Sequence, residues 1–212
     1  MRGFLPTVTV ALTFVLFCMT AYSEDRPDDV LEKLLSGKPD VVDRGKTELL
    51  AQRERQIGRL LEIVNDATLK KNRAAFLAAV EVLGELRAEQ AAPALTRFLL
   101  VGKKMDIHDR YEDPAIRALP HHAAPTVQAL VSIGTPSLKP VTEQLVAITE
   151  RTRDKYTLQL HCHWVIKGVL GPRLGKAYLT QLCERDPRAR DSAFVKEGFD
   201  FMDLFMKFGK DQ

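Results

Sequence analysis

His161-Cys162-His163-Trp164 sets three metal-capable donors in a row, and ligation is the first chemistry such a run suggests. Ligands on one helical face stand three or four residues apart, whereas residues two apart point about 200° from one another. His161 and His163 therefore cannot share a face. Cys162 instead joins Leu158, Val165 and Val169 at i, i+4, i+7 and i+11, the pattern of a small inward-facing hydrophobe. No other His or Cys stands at ligand spacing and Cys-x-x-Cys is absent, so the sequence predicts no metal site and no cofactor. Cys162 lies nine residues before Gly171 and Cys183 twelve after it, which at about 1.5 Å per residue gives similar heights in an antiparallel helix pair. A Cys162–Cys183 disulfide is feasible in an exported chain, and two buried thiols are the alternative.

A second group of chemically capable side chains lies in 101–122: Lys103, Lys104, Asp106, His108, Asp109 and Arg110. His108 beside two aspartates suggests hydrolysis, but no nucleophile stands in a recognisable motif. Gly-x-Ser-x-Gly, phosphate-loop and dinucleotide fingerprints are all missing. No catalytic residue is assigned. The segment is long for a connection between helices, and the sequence offers it either as a binding loop on a rigid scaffold or as a solvated loop without a task.

Positioning these groups falls to a chain of 212 residues, 45% hydrophobic and 28% charged, enough to build a core. Gly and Pro number 12 and 11, and 31 basic residues face 28 acidic ones, which excludes collagen-like, low-complexity and strongly disordered classes. Three cysteines are too few for a disulfide-built mini-scaffold. A formal charge of +3, interspersed along the chain, lacks the clustered footprint of a nucleic-acid binder. Residues 1–23 read as a secretory signal: Arg2, an uncharged run from Phe4 to Tyr22, then Ala21 and Ser23 as the small residues before the cut. Cleavage after Ser23 predicts a secreted or periplasmic protein beginning at Glu24. A retained leader would instead be a membrane anchor, which Pro6 and the threonines disfavour.

Beyond the leader, apolar residues recur at helical spacing. Ile57, Leu60, Leu61 and Val64 form one stripe; Phe76, Ala79, Val80, Leu83 and Leu86 a second; Leu138, Val141, Leu145 and Ile148 a third. Strand alternation and hairpin dipeptides are missing, so the expected class is all-α. Breaks at Arg87, Gly134 and Gly171 are followed by matching buried positions: Ala91, Leu138 and Gly175, then Ala94, Val141 and Tyr178, then Phe98, Leu145 and Leu182. Such periodicity predicts stacked helix pairs.

Ala78-Ala79-Val80-Glu81-Val82-Leu83-Gly84 running into Ala91-Ala92-Pro93-Ala94-Leu95, and Gln128 to Pro136 with Pro140-Val141, resemble the short HEAT repeat also found in bilin-lyase-type proteins. The resemblance implies a right-handed α-solenoid of about four antiparallel helix pairs over 27–190, interrupted by 101–122. It also implies a concave face lined by the second helices, where Arg97, Lys139, Glu143 and Lys176 form a candidate binding groove. Residues 191–212 are expected to form an amphipathic helix capping the last pair. The functional expectation is an exported, non-catalytic scaffold that binds another protein, and neither nucleic acid nor membrane unless the leader is retained. An enzyme or enzyme subunit of lyase type, or a membrane-attached adaptor, is the alternative.

Overall fold

A computed structural model describes residues 32–36, 38–52, 56–66, 72–100 and 124–208. The leader and the segment 101–122, with Lys103, Lys104, Asp106, His108, Asp109 and Arg110, lie outside the described residues. Among the described residues every regular element is helical. A short turn at 32–35 precedes α1 (Pro39–Gln52), α2 (Ile57–Asn65), α3 (Arg73–Glu85), α4 (Ala92–Thr96), α5 (Pro125–Ile133), α6 (Leu138–Val146), α7 (Arg153–Arg185), α8 (Pro187–Asp191) and α9 (Ala193–Phe208).

The stripes explain the elements. Leu138, Val141, Leu145 and Ile148 are all buried, so α6 presents the face its spacing predicts. On α2 the buried set is Ile57, Leu60, Ile63 and Val64, with Leu61 at its edge. α3 buries a broader face, from Ala75 to Gly84, because it lies between α1 and α2 on one side and α5 on the other. Asn72 starts α3 by accepting from the Ala75 amide at 3.2 Å, while its own amide donates to the Leu35 carbonyl at 2.8 Å. One side chain thus caps the helix and ties it to the preceding turn.

The three breaks of the sequence are the three positive-φ residues of the described backbone: Arg87 at 51°, Gly134 at 87° and Gly171 at 73°. At Arg87 the Ala88 amide reaches back to the Leu83 carbonyl at 3.0 Å, the six-to-one closure that ends a helix in the left-handed conformation. Gly134 and Gly171 combine positive φ with extended ψ, at −143° and 166°, a region where a Cβ is excluded. Gly171 divides α7 into two arms that double back on one another. A Cβ on Gly175 would lie 3.5 Å from the Ile166 side chain, although nine residues of continuous helix separate two atoms by about 13 Å.

Packing follows two series. α1 lies on α3, α3 on α5 and α5 on α7; α2 lies on α4, α4 on α6 and α6 on α7. Small residues let the first series close up. A Cβ on Gly84 would stand 2.6 Å from the Ala129 Cα, and one on Gly168 would stand 2.5 Å from a Val131 methyl. α9 packs along α7 and touches α6.

Candidate functional site

The first arm of α7 is enclosed on nearly every side. From Leu158 to Ile166 only Leu160 is more than marginally exposed, with α5 against the arm at Gly168 and α9 against it at His163. The two histidines consequently face different neighbours, as their spacing requires. His161 donates from Nδ1 to the Leu99 carbonyl at 2.5 Å, and His163 donates from Nε2 to the Phe194 carbonyl at 3.1 Å. Burial lowers the pKa of both rings against the opposing pull of those carbonyls, and pushes His163 down to about 4. Both are uncharged supports at neutral pH. No three His, Cys, Asp or Glu side chains among the described residues converge into a set able to hold a metal.

Cys162 is fully buried, and desolvation pushes its thiol well above the ordinary range. The disulfide expected as feasible is not formed: both cysteines are free. Cys162 faces the core, whereas Cys183 is only half-buried and lines a separate cleft with Arg190, Lys196 and Phe199. Equal height along two arms does not bring the sulfurs to the same side.

The charges assigned to the second helices are engaged in different ways. Arg97 donates to the Asn65 side chain of α2 at 2.9 Å, and Lys176 pairs with Asp203 of α9 at 2.6 Å. Lys139 and Glu143 stand exposed one turn apart on α6. On α9, Asp203 accepts from Lys176 through both carboxylate oxygens.

A cleft of about 540 Å³ opens between the first arm of α7 and α9. One wall carries Tyr156, Leu160 and Trp164, and the other carries Phe201, Leu204 and Phe205. The rings meet mostly edge to face: Trp164 stands 5.4 Å from Phe201 at 84° and 5.1 Å from Phe205 at 68°. Lys167 lies over two of these rings, its ammonium 4.6 Å from the Trp164 ring centre and 4.0 Å from that of Phe205. Partial burial lowers the pKa of Lys167, and the two ring faces offset some of the lost hydration.

The other end of the cleft is polar. Arg151 pairs with Glu197 at 2.6 Å and lies 5.8 Å over the Phe194 ring. The Gln159 amide donates to the second Glu197 oxygen at 2.7 Å, while the Gln159 carbonyl oxygen, in a side chain only 2% exposed, has no donor. A second cleft, also about 540 Å³, lies across α3, α5 and α7; Trp164 lines both clefts, and Lys167 lines the second.

The sequence did contain a signal for the cleft. Tyr156, Leu160, Trp164 and Lys167 stand at i, i+4, i+8 and i+11, a second stripe beside the one that includes Cys162. Its partner wall is the phenylalanine-rich face of α9, 30 to 50 residues further on, and helical spacing within either segment cannot pair the two. The chain matches no protein-family model, no curated protein and no solved structure.

Proposed function

We propose that this chain is a HEAT-type α-solenoid, exported and capped by α9, that works by binding another protein rather than by catalysis. The two packing series, and the recurrence of a positive-φ residue before α4, α6 and the second arm of α7, support the solenoid reading. The observation that carries binding is the α7–α9 cleft, where Tyr156 and Leu204 remain 55% and 40% exposed beside five more apolar side chains. A contiguous apolar surface rimmed by charge is the usual mark of a protein contact. The groups that sequence alone offered for chemistry within the described residues are used structurally: His161 and His163 hold carbonyls, and Cys162 fills the core.

The test is site-specific photocrosslinking in the exporting cell, with benzoylphenylalanine at Tyr156 or Leu204 and, for comparison, at Lys139 or Glu143. A single stoichiometric adduct from the first pair is expected. An adduct from Lys139 and Glu143 alone moves the contact to the second helices, and none from any position overturns the binding reading. Mass measurement of the exported chain checks the expected start at Glu24.

A further inference from the structure

Beyond the α7–α9 reading, and at a different place, we propose that the cleft across α3, α5 and α7 receives the last residue of a partner protein's chain where that residue is Arg or Lys, with its terminal carboxylate on Lys167 and its side-chain cation on Glu85. The observation that points there is a pair of opposite charges lining one cleft without neutralising each other. Glu85 stands exposed on α3 and Lys167 half-buried on α7, and neither forms an ion pair among the described residues. Glu81, one turn before Glu85, is already held by Lys46 of α1. Burial alone moves the pKa of Lys167, downward, with no carboxylate close enough to oppose it. A partly desolvated cation gains more from an anion brought to it than a fully hydrated one does.

The gap between the two charges specifies the rest. α5 packs against α3 at Gly84 and against α7 at Gly168, so it lies between the two walls and supplies apolar lining from Pro125, Ala129 and Val131. An Arg or Lys side chain lays its methylene stem on such a surface and extends its charge beyond it. A single terminal residue then carries both complementary charges, one at each end of that stem. A cleft of about 540 Å³ suits an occupant of this size. The α-nitrogen selects a chain end over a free amino acid. In a free amino acid it is an ammonium next to the carboxylate, pressed towards Lys167, which repels it. In a chain it is an uncharged amide N–H, for which the side chains of Gln128 and Ser132 in the lining are acceptors.

The test titrates the full chain with small probes, following the methyl NMR signals of Ala129 and Val131. N-acetyl-arginine has the cation, the carboxylate and the uncharged amide; N-acetyl-argininamide lacks the carboxylate, N-acetyl-norleucine lacks the cation, and free arginine has the α-ammonium. Saturable shifts at Ala129 and Val131 are expected for the first, with about fivefold weaker binding for each of the others. In Glu85→Gln the acetylated arginine and norleucine probes should bind alike, and in Lys167→Met N-acetyl-arginine should lose its advantage over its amide. Glu85 is exposed, so its variant serves if Lys167→Met does not fold. Absence of saturable shifts at Val131, or equal binding of the parent to N-acetyl-arginine and to either the amide or the norleucine probe, overturns the proposal. So does tighter binding of free arginine, because the occupant is then a free amino acid. Crosslinking from Tyr156 and Leu204 reports on the other cleft, so failure here leaves that reading standing, and failure there leaves this one.

Discussion

Between α3 and α5 the chain relies on missing side chains: Gly84 sits so close to Ala129 that the helices meet backbone to backbone. Between α7 and α9 it relies on large and polar ones, with His163 bonded to Phe194, Trp164 wedged against Phe201 and Phe205, and Lys167 laid over two rings. The first contact is close, and the cleft across α3, α5 and α7 opens beside it, lined by Glu81, Gly84 and Ala129. The second is directional and depends on an uncharged imidazole, and its bulky rings meet edge to face where glycine and alanine let backbones touch. Close and directional crossings thus come from the same helical architecture through the choice of side chains.

The largest effect should come from filling the close crossing. Gly84→Val places a Cβ where Ala129 has backbone that cannot turn aside, and should cost about 3 kcal/mol, read as a lowered midpoint in urea unfolding. Gly198→Ala, at the α7–α9 crossing, meets only the edge of His163 and a Leu179 methyl at 2.8 Å each. It should cost less, and a cost as large as at Gly84 would erase the distinction between the two contacts.

Acid should separate the regions next. The folded pKa of His163 is depressed to about 4, below the ordinary value near 6.5, so the unfolded chain binds the extra proton between those values. The stability it contributes is complete above about pH 6.5, falls as pH drops towards 4, and is down by about 2 kcal/mol at pH 5. Urea unfolding at pH 7.5 and pH 5 should show this loss in the parent and a smaller one in His163→Gln. Equal pH dependence in the two proteins would remove His163 from the α7–α9 contact as its acid-sensitive group.

The turns give smaller effects of opposite sign. Gly171→Ala forces a Cβ into φ 73° and ψ 166° and should cost about 1 to 2 kcal/mol. Arg87→Gly relieves a left-handed residue at φ 51° and should gain about 0.5 kcal/mol, since the strain released exceeds the added chain entropy. Thermal unfolding of both variants measures the contrast. Should Arg87→Gly destabilise, the Arg87 side chain contributes something its backbone does not reveal.

The turns were legible because their signals are local: Gly134 and Gly171 are followed by proline, and the spacing from each to its next buried residue repeats. The stripe of α6 was legible for the same reason. The α7–α9 site was not, since its pairings span long separations, Lys176 to Asp203 and Gln159 to Glu197 among them, and periodicity within a helix carries no information about them. The histidines were the hardest to place. Their partners are the carbonyls of Leu99 and Phe194, and every residue has a carbonyl.

Those two carbonyls also dictate proton positions. A carbonyl only accepts, so neutral His161 must carry its hydrogen on Nδ1 and neutral His163 on Nε2. Two imidazoles two residues apart on one helix are therefore locked as opposite tautomers, like two differently cut teeth on one key. Sliding the arm by a single turn along its neighbours would take both hydrogens away from these carbonyls. The two bonds thus mark the seating of the arm, and nitrogen-15 spectra of the two rings should display the inverted pair.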